Sequence, residues 1–257
     1  MTEYKRNTGF FHQVYHVAWA DLMYLKHTFW NTTIMTIMTP LLYLIAFGYG
    51  LRGGETDIGV SYIAFVIPGI MALSSLSSSF SSTSARINVQ RLYYRSFDEM
   101  MMCPLSNAAI IFGKSMLGFV RGLLGCFVMY ALGLFLAPDL QLTPMAFVCV
   151  ILSCGAFSML GMAAALIAKS HASMATFNSL VILPMTFLCG TFFSVDSLNI
   201  VFQAILYCLP LTHASLTIRA ACLPDVLDFP WISLVVLVVF AILFFALDYY
   251  LLKTRKV

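Results

Sequence analysis

The sequence predicts an all-α integral membrane protein with six transmembrane helices, and three observations carry that prediction. Of its 257 residues 61% are hydrophobic and only 10% charged, with a mean hydropathy of +0.90. Such a chain has too little polar surface to cover a water-soluble globule of this length. Its apolar residues also fall in runs almost free of Asp, Glu, Lys and Arg, each near the ~20 residues that a bilayer-crossing helix needs. Finally, the basic residues are divided unevenly between the connecting loops.

The runs place spans at about 29–51, 60–84, 114–137, 144–168, 174–193 and 230–252. Arg121, the one strong charge inside a span, reads as a residue snorkelling near the end of the third. Asp248, beside Tyr249 and Tyr250, reads as part of an aromatic membrane boundary. Ahead of the first span, residues 10–28 carry Phe11, Val14, Tyr15, Ala18, Leu22 and Leu25 at helical spacing, with His12, His16, Asp21 and Lys26 between them. That pattern predicts an amphipathic interfacial helix along the cytoplasmic leaflet. The same N-terminal stretch lacks the apolar core and small-residue cleavage site of a signal peptide.

A further uncharged stretch within residues 197–223 carries Asn199, Gln203, Pro210 and His213 in its middle, and orientation decides its reading. With a cytoplasmic N-terminus and no crossing here, eleven of the fourteen basic residues fall inside, leaving Arg52 and Arg219 outside and Arg121 in the membrane. A seventh crossing would strand the Lys253–Lys256 cluster on the wrong side. Residues 197–223 are therefore expected to form an outer-face re-entrant or interfacial helical pair broken at Pro210, with both termini cytoplasmic.

Composition excludes several functions. A net charge of +3 with no basic, aromatic-interleaved stripe gives no footprint for nucleic acid. Seven scattered cysteines with no CxxC pair read as small apolar residues, and no metal site is expected. Residues 108–115, ending Gly113-Lys114-Ser115, resemble a phosphate-binding loop, but Ala108 stands where the first glycine is required and no strand precedes it. No catalytic constellation for an integral-membrane enzyme is present, and no mid-span carboxylate for an ion-coupled transporter is evident. The serine-rich run from Ser74 to Ser84 reads first as a surface for close helix packing, and second as a hydroxyl-lined entry to a pathway.

Between the second and third spans, Val89, Tyr93, Phe97 and Met101 recur every four residues, opposite Arg91, Arg95 and Glu99. This predicts a cytoplasmic amphipathic helix over 86–103, ended by Pro104. From here the sequence resembles a known family. Residues 95–106, reading Arg-Ser-Phe-Asp-Glu-Met-Met-Met-Cys-Pro-Leu-Ser, followed by Ile110-Ile111-Phe112-Gly113-Lys114, resemble the segment of ABC type-2 permeases that reads as a leucine-rich helix, then Pro-Val/Leu-Ser, then Ile-Gly-Lys. Leu183-Pro184 through Phe193 resembles that family's fifth span, and Leu209-Pro210-Leu211-Thr212-His213 with Arg219 its Pro-Leu-Thr-His segment. Met101-Met102-Cys103-Pro104 stands where the family more often has Leu-Leu-X-Thr-Pro. The similarity is greatest to permeases that export nodulation factors, polysaccharides or drugs.

The resemblance implies a permease subunit with no ATPase and no cofactor of its own, working as a dimer in the bacterial inner membrane. A soluble ABC ATPase would supply the ATP and magnesium chemistry. It further implies that the 86–103 helix is the contact with that ATPase, with Arg91, Tyr93, Arg95, Phe97, Asp98, Glu99 and Pro104 as coupling residues. Phe187, Phe192, Phe193 and His213 are the candidates for the translocation pathway at the outer end.

Overall fold

The computed structural model describes residues 9–49, 61–137, 140–141, 143–188, 190 and 199–254. Eleven α-helices are described: α1 (Phe10–His27), α2 (Phe29–Tyr43), α3 (Tyr62–Leu92), α4 (Ser96–Met101), α5 (Asn107–Leu136), α6 (Pro144–Ile167), α7 (His171–Phe177), α8 (Leu183–Leu188), α9 (Ile200–Tyr207), α10 (Pro210–Cys222) and α11 (Trp231–Thr254). Wider π turns extend α2 through Leu44–Tyr49 and join α7 to α8 through Asn178–Ile182. Each lies next to a proline, Pro40 or Pro184, whose missing N–H breaks the regular helical ladder.

Six of these units are long and apolar enough to cross a membrane: Phe29–Ala46, Tyr62–Leu92, Asn107–Leu136, Pro144–Ile167, His171–Leu188 and Trp231–Thr254. The helices α9 and α10 form a pair bent by 92°, with Pro210 at the first position of the second helix. Proline at that position ends the preceding run and starts a new helix without losing a needed hydrogen bond.

The helix α3 is the hub, with 89% of its most apolar window buried, and it packs against α2, α5, α6 and α10. Its serine run makes this possible. A methyl group built at Gly118 of α5 would stand 2.3 Å from the Ser79 carbonyl, and one at Gly122 1.9 Å from Ser79 Oγ. The backbones therefore approach as closely as small residues permit. Thr83 Oγ1 and Ser158 Oγ, 2.8 Å apart, close the same seam from α6. By contrast only 11% of the α2 window is buried, and α11 and the α7–α8 unit are also mostly exposed.

The expected single helix over 86–103 is not formed. The helix α3 runs on to Leu92, Arg95 takes a left-handed φ of 56°, and the chain restarts as the six-residue α4. The fourfold recurrence survives only because helix lies on both sides of the turn. Its supposed single face is divided: Tyr93 is 75% exposed and Phe97 1%. The third membrane helix also begins earlier than the expected 114, because Ser106 caps it by accepting from the Ala109 N–H at 3.2 Å.

Candidate coupling segment and pathway

At one end of the helix bundle a buried polar cluster joins three helices. Asp21 of α1, 1% exposed, receives the Arg86 Nε at 2.7 Å and the Gln90 Nε2 at 2.8 Å from α3, and the Lys114 Nζ at 2.9 Å from α5. Lys114 also donates to Gln90 Oε1 at 2.9 Å, and the Arg86 guanidinium lies 4.3 Å from the centre of the Tyr24 ring. Lys114, the lysine of the apparent phosphate loop, is thus committed to a carboxylate inside the protein. Around it, Val17 abuts Gly113 so closely that a methyl group there would lie 2.6 Å from Val17 Cβ.

The buried face of α1 is Val17, Ala18, Asp21 and Leu25: it keeps Ala18 and Leu25 of the expected apolar stripe but is rotated so that Asp21 faces inward and Phe11 and Tyr15 are exposed. Ion pairing across to α5 sets the rotation of the helix, a term that apolar periodicity does not contain. Phe11, Tyr15 and Trp19 then lie on its outer side at four-residue spacing.

The segment between α3 and α5 is fixed at several points. Arg91 turns back to donate to the carbonyls of Ala165 and, at 2.7 Å, Ala168 at the end of α6. This caps that helix with a cation where its carbonyls run out of partners. Phe97 is packed among Ile87, Ile110, Ile111, Met162, Ala165, Leu166 and Leu252. The Gln13 Oε1 of α1 accepts from the Ser106 N–H at 3.1 Å. Tyr93, Tyr94, Arg95, Glu99, Met102 and Pro104 are left exposed, and Asp98 is partly buried. Of the seven expected coupling residues, Phe97 and Arg91 therefore face inward.

A second buried cation fastens the other end. Arg219 of α10, counted as an outer-loop residue from the sequence, is 3% exposed. Its Nε donates to the Phe65 carbonyl at 3.2 Å, its Nη2 to the Gly190 carbonyl at 3.0 Å, and its guanidinium lies 3.8 Å from the Phe65 ring centre. Gly190 has φ 71°, a conformation that suits glycine, so the chain can turn its carbonyl toward Arg219. Arg219 thus ties the bent α9–α10 pair to the start of α3 and the end of the fifth span.

Among the pathway candidates, Phe187 is 48% exposed on α8. His213 is 4% exposed, with its Nε2 2.8 Å from the Tyr207 carbonyl across the α9–α10 bend. Phe192 and Phe193 lie outside the described residues.

Two features escaped the sequence reading. Arg121 is not near a helix end: it sits midway along the 30-residue α5, about 20 Å from either terminus. Its Nη2 contacts Thr36 Oγ1 at 3.2 Å and the Thr32 carbonyl at 3.5 Å. Asp248 is 0% exposed within α11, and neither of its carboxyl oxygens has a hydrogen-bond partner. Asp248 stands in the last two turns of α11, one turn before Leu252, so its position near the end of the span is as expected and its burial is not. Tyr249 and Tyr250 beside it are exposed on another side of the helix, so the aromatic boundary and the carboxyl group face different ways.

With this architecture in view, residues 12–223 match the family model described as ABC-2 type transporter. The chain belongs to the ABC-2 type transporter family. The permease is 27% identical over 244 residues to the inner membrane transport permease YadH of Escherichia coli strain K12, covering 93% of this chain and 94% of that one. It is 29% identical over 230 residues to nodulation protein J of Rhizobium leguminosarum bv. viciae, covering 84% of each. To nodulation protein J of Rhizobium meliloti strain 1021 it is 30% identical over 234 residues, covering 84% of this chain and 83% of the relative. Membership makes this chain the membrane subunit of an ABC transporter, implies an ABC ATPase partner, and leaves no catalytic activity to expect in the permease itself.

Proposed function

We propose that this permease moves an amphiphile, such as a lipid-linked saccharide, a polysaccharide or a drug, out of the cytoplasm or inner leaflet of a bacterial inner membrane. Hydrolysis of ATP with magnesium takes place in a separate soluble ATPase, and two copies of the permease form the channel. Both termini and the α3–α5 connection face the cytoplasm.

The observation that carries this reading is the anchoring of the α3–α5 connection. Its exposed surface, Tyr93, Tyr94, Arg95, Glu99 and Met102, is continuous with residues tied to α1, α3, α5 and α6 through Asp21, Lys114, Arg91 and Phe97. A force applied to that surface reaches four helices without first deforming a loose loop. The sparsely buried α2 and α7–α8 offer apolar surface for a second permease and for the cargo's path past Phe187. Relatives called nodulation protein J and inner membrane transport permease support the transport reading.

The test is co-reconstitution in liposomes of the permease with its partner ABC ATPase, using a fluorescent lipid-linked oligosaccharide as cargo. ATP-dependent translocation that needs both proteins supports the reading. Gradient-driven transport by the permease alone overturns it.

A further inference from the structure

A recess of about 240 Å³ opens between α2, α3 and α5, lined by Met35, Thr36, Thr39, Ser77, Ser78, Ser81, Ser82 and Arg121. The serine run therefore has two faces. Ser79 and Thr83 pack against Gly118 and Gly122, while Ser77, Ser78, Ser81 and Ser82 turn toward the recess. Pro40 adds to its polarity, since it has no N–H to give to the Thr36 carbonyl one turn earlier.

Arg121 is the feature that calls for a ligand. A guanidinium within a membrane-crossing helix carries a full positive charge, and such charges are ordinarily paired. Among the described residues no carboxylate pairs with it. Its contacts are to neutral oxygens of Thr32 and Thr36, and its buried Nε has no partner. The volume is below the ~300 Å³ usual for drug-sized ligands, enough for a headgroup but not for a whole amphiphile. Met35, Met38 and Leu42 are exposed along α2 beside it, an apolar track for an attached chain.

We infer that this recess binds the oxyanion headgroup of an amphiphile, with Arg121 as its counter-charge and the Thr39, Ser77 and Ser81 hydroxyls as further hydrogen-bonding partners. The hydrocarbon chain of that amphiphile lies along α2. The inference rests on the reading of this chain as a permease for amphiphiles, and it names the chemical class of what that permease handles. Two molecules share the chemistry, a resident anionic phospholipid and an anionic cargo, and exchange distinguishes them.

The test places the full-length permease, without ATPase, in phosphatidylcholine nanodiscs doped with photoreactive phosphatidylglycerol or photoreactive phosphatidylcholine. Phosphatidylglycerol should crosslink to peptides 35–39 and 77–82 about tenfold more than phosphatidylcholine, the factor expected of one charge-assisted contact. Arg121→Gln should abolish the preference, and Arg121→Lys should retain most of it. Ser77→Leu with Ser81→Leu fills the recess and leaves Arg121 in place, and it should lower crosslinking by a similar factor; this serves if Arg121→Gln fails to fold. Displacement of the crosslinkable lipid by added decyl phosphate assigns the site to an exchanging cargo. Resistance to it assigns the site to a resident lipid. Equal crosslinking of the two lipids to the wild type, or an undiminished preference in either the Arg121→Gln or the serine variant, overturns the inference and leaves Arg121 as a tie between α5 and α2. Because no ATPase is present, that result is independent of whether the permease is an exporter.

Discussion

Asp21 and Lys114 stand 93 positions apart in the chain, and their charged atoms meet at 2.9 Å with both side chains almost wholly buried. This pair holds the N-terminal helix against the third membrane helix, with Arg86 and Gln90 sharing the same carboxylate. Removing one member leaves the others as uncompensated buried charge, whereas removing both members of a pair relieves it.

Asp21→Ala is therefore expected to destabilise the permease by about 3–5 kcal/mol, as broken buried pairs do. Thermal unfolding in detergent measures the loss. Asp21→Ala combined with Lys114→Ala should be less destabilised than the sum of the single variants, because the two residues are directly coupled. Additive effects would show that the pair contributes nothing as a unit.

Tyr93 and Tyr94 are the exposed aromatics of the coupling segment, their rings 4.9 Å apart at 89°. Tyr93→Ala with Tyr94→Ala should leave the permease folded but release its ATPase on co-purification, since buried aromatic anchors at interfaces often contribute about 2 kcal/mol or more. Phe97→Ala should act differently. It removes a core ring and is expected to cost about 3–5 kcal/mol of stability. Full retention of ATPase by the double tyrosine variant would remove this segment from the interface.

Close packing gives a matched pair of glycine substitutions. Gly122→Ala forces a methyl group to 1.9 Å from Ser79 Oγ, whereas at Gly155 nothing lies within 4 Å. The first should lower stability by about 1–3 kcal/mol. The second should be neutral or slightly stabilising, as alanine favours helix over glycine. Equal melting temperatures for the two variants would contradict the contact between α3 and α5.

Topology is checked with single cysteines in a cysteine-free background. Cysteines at Glu99 and Thr254 should resist an impermeant thiol reagent in intact cells, while those at Thr56 and Pro224 should react, following the distribution of basic residues. Reaction at Thr254 alone would mean that the α9–α10 pair crosses the membrane.

Asp248 provides the discriminating experiment on the energy source. With a separate ATPase driving transport, Asp248→Asn should keep ATP-dependent transport within about twofold of the wild type. Asp248→Leu should be as stable as the wild type or more so, because replacing an unpartnered buried carboxyl with an apolar side chain removes a desolvation cost. Loss of transport in Asp248→Asn together with gradient dependence in the wild type would point to ion coupling.

The sequence by itself determined the solvent, the six long apolar spans and the helix pair broken at Pro210. Each depends on a local quantity: the length of an uncharged run, the distribution of basic residues in loops, or a proline that cannot continue a helix. The opposed stripes from Val89 to Met101 were also legible, but not the left-handed turn at Arg95 that divides them, because a single backbone dihedral leaves no mark on side-chain periodicity. Only the tertiary structure decided where the charges went. Lys114 resembled a phosphate ligand and became the partner of Asp21, Arg219 moved from an outer loop into the core, and Arg121 came to lie midway along α5 against the first turns of α2. Lys114 and Arg219 are placed by the groups that compensate them, and in a bundle those groups lie on other helices many positions away in the chain. Hydrophobic pattern along one strand of sequence therefore fixes the helices, while the pairing of buried polar groups between them fixes their rotation, their seams and the recess around Arg121.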